Sequence, residues 1–86
     1  MQTIWNDIGV QVFGITQNHF VGMQMHTEGY GRREHGGSII WFQWSATVCD
    51  RGWIVTITRP SGRVGEYQGA TFNLPLEIAT AAGRLL

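Results

Sequence analysis

Apolar residues recur at every second position through four separate segments of this chain. A period of two marks strands with one buried face, and it limits the fold more than any other feature here. Ile8, Val10 and Val12 form the first set, and Val21, Met23 and Met25 the second. Ile40, Phe42, Trp44, Ala46 and Val48 form the third, and Trp53, Val55 and Ile57 the fourth. A fifth run, from Arg63 to Phe72, is interrupted by Gly65 and Gly69. Glycines within a strand mark a bulge or the close approach of another backbone.

Turn length fixes register and so checks the alternation independently. Closing a hairpin with Cys49 opposite Gly52 pairs Val48 with Trp53, Ala46 with Val55 and Trp44 with Ile57. Every apolar partner then falls on one face. Closing the first hairpin around Gln17-Asn18 pairs Val12 with Met23 and Val10 with Met25. Arg59-Pro60-Ser61-Gly62 supplies the last turn, with proline presetting φ and glycine free to adopt a positive one.

The period changes after Phe72. Asn73 or Leu74 can cap a helix that begins near Pro75, since proline is tolerated in a first turn. Glu77 and Arg84 suit the two ends of its dipole. Leu74, Ile78, Ala81, Ala82 and Leu85 make one apolar stripe. About three turns of helix are marginal alone, so the stripe must pack on the apolar sheet face. The predicted fold is α+β: a five-stranded antiparallel β-meander with one C-terminal α-helix packed on one face. A small bent β-barrel capped by the helix is the alternative. Thr3 to Asp7 fits a turn, a strand extension or a dimer arm equally well.

Trp41 and Trp44 are three positions apart, so on a strand they face opposite ways. Trp44 belongs with the helix-covered set. Trp41 then lies on the other face with Gln43, Ser45 and Thr47, joined by Phe13, Ile15, Phe20, His26, Ile54 and Thr56. That face is too apolar for simple solvation and too polar for a dry core. Phe13, Phe20, Trp41, Gln43 and Ile54 are its candidate interface or ligand residues.

At 86 residues the chain is one domain, and one of this size buries only roughly 60% of its unfolded surface. A single cysteine excludes an internal disulfide and suits a reducing compartment. The sequence has no charged-then-apolar leader and no apolar run of membrane-spanning length. The expectation is a soluble, cytoplasmic protein without a membrane partner. All six basic residues are arginine, they balance six acids, and the formal net charge is zero. A GC-rich coding sequence accounts for the missing lysine more simply than function does. Neutrality disfavours non-specific nucleic-acid binding and leaves self-association unopposed.

The segment 27–37 holds four glycines, at positions 29, 31, 36 and 37, and reads as a long loop. In a meander it shares one end of the sheet with the turn at 59–63. That end would gather Tyr30, Arg32, Arg33, Arg59 and Arg63 as an anion or nucleic-acid candidate, with His26 and His35 nearby. No P-loop spacing is present. Cys49, His19 and Asp50 fall at the opposite end, which makes a zinc site shared with His26 and His35 improbable and leaves a cysteine-dependent enzyme as a weak alternative. The acids are scattered, so no paired-carboxylate catalyst is expected, and no catalytic residue, metal or cofactor is assigned. The favoured function is a small non-enzymatic binding or interaction protein, homodimeric through the mixed aromatic face, which also leaves room for a protein partner. The alternatives are nucleic-acid or polyanion binding at the arginine-rich end, and a small-ligand pocket.

Overall fold

The computed structural model describes residues 3–7, 9–21 and 24–86, with the side chains of 4–7, 15–21 and 24 outside the description. The chain runs β1 (Thr3–Asp7), β2 (Val10–Val21), β3 (Gln24–His35), β4 (Ser38–Val48), β5 (Trp53–Arg59), β6 (Gly62–Gln68) and α1 (Leu74–Leu85). All strands pair antiparallel in chain order within one open sheet. The expected five-strand meander is β2 to β6, and the undecided segment at Thr3 adds an edge strand beside β2. The sheet does not close into a barrel.

The β4–β5 register is the one that turn length dictates: Val48 faces Trp53, Ala46 faces Val55 and Trp44 faces Ile57. The Cys49 N–H donates to the Gly52 carbonyl at 2.8 Å and closes that turn. The inward sets of β4 and β5 meet Val12, Ile78, Ala81 and Ala82 in one buried cluster. The helix lies across the inner face and touches β1, β2, β5 and β6. Asn73 caps it by accepting from the Leu76 N–H at 3.3 Å, with Pro75 in the first turn. Arg84 lies over the Tyr67 ring, 5.3 Å from its centroid, a cation–π contact that fixes the last turn on β6. Trp53 plugs the opposite end of the core, where its indole N–H donates to the Phe72 carbonyl at 3.1 Å.

Two expectations fail on the β2–β3–β4 ribbons. No turn forms at Gln17-Asn18, because β2 continues through it and pairs Gln17 with Glu28 and Asn18 with Thr27. Val12 therefore faces Gly31 and Val10 faces Arg33, where Met23 and Met25 were expected. Nor is 27–37 a loop, since β3 pairs with β4 from His26↔Thr47 to His35↔Ser38. The turn is only Gly36-Gly37, with φ of +59° and +82°. Positive φ at both positions of a two-residue hairpin matches the right-handed strand twist and selects glycine.

Pairing explains the correction. An unpaired eleven-residue segment would leave its backbone groups to water, whereas the long β3–β4 ladder satisfies them. The glycines that suggested a loop serve the core instead. Gly29 faces Trp44 and Gly31 faces Phe42 across the ladder. A Cβ at Gly29 would stand 2.6 Å from the Trp44 ring and 2.8 Å from the Gly14 carbonyl oxygen. One at Gly31 would stand 2.6 Å from the Phe42 ring and 2.7 Å from the Gln11 carbonyl oxygen. The two rings lie over the bare backbone, and the Trp44 indole N–H reaches the Tyr30 carbonyl at 3.2 Å. Met25 packs against this core. Ile8 and Met23 fall outside the described residues, as do the side chains of Ile15, His19, Phe20 and Val21.

Candidate functional site

Alternation delivers the two tryptophans of β4 to opposite faces. Trp44 is 1% exposed under the helix, and Trp41 is 48% exposed on the outer face. Trp41 is not alone there. Phe13 on β2 faces Tyr30 on β3 directly, and Trp41 sits diagonally across from Tyr30 on β4. The Phe13 and Tyr30 rings stack at 5.3 Å and 28°. Phe13 and Trp41 stack at 5.9 Å and 21°, and Tyr30 and Trp41 tilt together at 6.4 Å. Each such pair adds about 0.5–1.5 kcal/mol beyond its buried area, so the cluster is a stiff platform.

Beside Trp41 the surface dips into a slot of about 270 Å³, lined by Tyr30, Trp41, Phe42, Gln43 and Pro60. Pro60 comes from the β5–β6 turn, which stands next to β4 where the β4–β5 pairing ends at Gln43↔Thr58. A second depression of about 260 Å³ continues along β4, lined by Glu28, Gly29, Gln43, Trp44, Ser45 and Thr58. An apolar centre thus grades into a polar flank. Ile39, two residues from Trp41 on the same face, is 49% exposed at the projecting β3–β4 tip.

The expected face residues are placed as follows. Trp41 and Gln43 line the slot, and Phe13 stacks on Trp41. Ile54 lies half-buried opposite Thr47, nearer the other end. The Phe20 backbone pairs with Met25, a core-packing residue, and its side chain is outside the description. His26 pairs with Thr47, far from the Gly36-Gly37 turn, so it does not join the arginine-rich end. Its Nδ1 lies 2.9 Å from the Thr47 hydroxyl.

The four arginines divide between the two faces of the sheet. Arg32 and Arg33 are successive strand residues and take opposite faces. Arg32 lies on the aromatic side, where its Nε donates to the Gln11 side chain. Arg63 faces Thr58 and is ion-paired with Glu66. Arg59 continues the inward set of β5, and its Nε is buried with no hydrogen-bond partner among the described residues. Of the five anion-site candidates, Tyr30 and Arg32 share the outer face of β3, where Arg32 is the ladder partner of Trp41. Sequence reasoning missed Tyr30 as a member of the aromatic site because 27–37 read as loop. The Gly36-Gly37 pair was the usable signal, since Gly-Gly between extended runs marks a two-residue hairpin.

Cys49 occupies the other end. Its Sγ accepts from the Gln68 side-chain N–H at 3.2 Å. That bond, with N–H groups of Arg51 and Gly52, holds the thiol below its ordinary pKa against the opposing effects of burial and Asp50. His19 lies on β2 opposite His26, so a base is not placed at the sulfur by anything described. Alkylation of Cys49 by iodoacetamide at pH 7 should outpace that of a free thiol, because more thiolate is present. Gln68→Leu should move the pH–rate midpoint upward, and an unchanged midpoint would refute Gln68 as the cause.

Among the described residues, no group of three or more His, Cys, Asp or Glu side chains is placed to hold a metal. No helix among them is long and apolar enough to cross a membrane. Comparison with family models, curated proteins and solved structures finds no match, and the functional reading therefore rests on this site alone.

Proposed function

We propose that this chain is a non-enzymatic binding protein that self-associates as a homodimer through its outer sheet face. The observation that carries the reading is the stacked Phe13–Tyr30–Trp41 cluster with Trp41 and Ile39 each about half exposed. Large apolar side chains grouped on one face, with polar groups beside them, follow interface anatomy: a dry centre and a hydrated rim. A two-fold interface uses the same patch on both copies, so one exposed face suffices. Charge does not oppose it, because the net charge is zero and Arg63 is offset locally by Glu66.

The test is solution mass by light scattering at low and high salt. A dimer that persists or tightens at high salt is expected. Trp41→Asp removes the central ring and buries a charge, which should weaken association by about 2 kcal/mol or more. An unchanged dimer in that variant would sink the assignment of this face.

One observation favours a second reading, single-stranded nucleic acid. Tyr30 and Arg32 accompany Trp41, and aromatic rings with a guanidinium suit base stacking. That affinity should fall steeply with salt, opposite to the apolar dimer.

A further inference from the structure

We infer that two copies interlock by seating Ile39 of each in the slot between Trp41 and Pro60 of the other. This rests on the homodimer reading and deepens it. Ile39 is a protruding aliphatic side chain at the tip of the β3–β4 hairpin, beyond the last β4–β5 pair. The slot is a depression of about 270 Å³ on the same face, ample for a four-carbon side chain and walled by Trp41, Tyr30 and Pro60. Projection and depression flank Trp41 on one strand: Ile39 lies about 7 Å to one side, and Gln43, which lines the slot, lies to the other.

A two-fold axis in the plane of the face and perpendicular to β4 exchanges the two features. It carries Ile39 of one copy onto the slot of the second copy, and the reverse, in a single operation. The axis then passes at Trp41, so the two Trp41 rings meet at the centre. A closed isologous pair results, with no open end to propagate. The depression lined by Glu28, Gln43, Ser45 and Thr58 falls at the edge of this contact as a polar rim. A projection and its matching depression on one molecule favour a second copy over an unrelated partner.

The experiment uses the full chain carrying Cys49→Ser, which removes the native thiol. Ile39→Cys and Pro60→Cys are made separately in that background, mixed and mildly oxidised. The mixed disulfide should form at least about tenfold faster than either variant cross-links to itself. Ile39→Asp should raise the dimer dissociation constant at least about tenfold with the circular dichroism unchanged. If the Cys49→Ser protein is a dimer but Ile39→Cys cross-links fastest to itself, this seating is wrong and the dimer stands. A monomeric mass overturns both the seating and the dimer. Quenching of that monomer's tryptophan fluorescence by a mixed-sequence single-stranded oligonucleotide would assign the surface to nucleic acid instead.

Discussion

Trp44→Ala is expected to cost about 3–5 kcal/mol, the usual range for truncating a buried aromatic. Trp44 is 1% exposed and fills the space between the β3–β4 floor and the rest of the core. Its ring also covers Gly29, which has no side chain to close the gap once the ring is gone. The indole hydrogen bond to the Tyr30 carbonyl is lost as well. For 86 residues a typical total stability is about 4–13 kcal/mol. The variant should therefore melt on the order of 12–40 °C lower, read by circular dichroism. A loss below about 1 kcal/mol would mean that the core is not built on this ring.

Gly52→Ala is expected to cost about 3 kcal/mol, the upper end of the overpacking range. Gly52 is buried, and a Cβ there would stand 2.4 Å from the Thr71 carbonyl oxygen. The Gly69 oxygen and the Thr71 nitrogen each stand 3.0 Å away. All three are backbone atoms, so no side chain can swing aside. The segment after β6 must move, and it carries the Phe72 carbonyl that receives the Trp53 indole and the Asn73 cap of α1. Urea unfolding should show the loss, and hydrogen exchange should place it first in α1. An alanine tolerated within about 0.5 kcal/mol would show that this packing is looser than the distances imply.

The contrast between Gly52 and Gly29 shows how far local sequence reaches. Gly52 reads correctly as a turn residue opposite Cys49, yet its larger role is to admit the backbone of Gly69 and Thr71. Gly29 and Gly31 read as loop because glycine is rare in strands, and nothing local reveals that Trp44 and Phe42 will lie over them. The arginines expected at one end divide between the two faces for a related reason. Once 27–35 becomes strand, neighbouring arginines must part to opposite faces. Tyr30, placed in a loop by the same error, enters the aromatic cluster by the same correction.

By itself the sequence determined the β4–β5 register, the capped C-terminal helix and the opposite facing of Trp41 and Trp44. Those follow from short-range rules: side-chain alternation, turn length and capping chemistry act within a few residues. Only the tertiary structure decided where β2 turns back, that glycines line the core, and that Pro60 stands beside Trp41 to form a slot. Those depend on contacts between segments distant in the chain, where one strand's large ring is the reason for another strand's missing side chain.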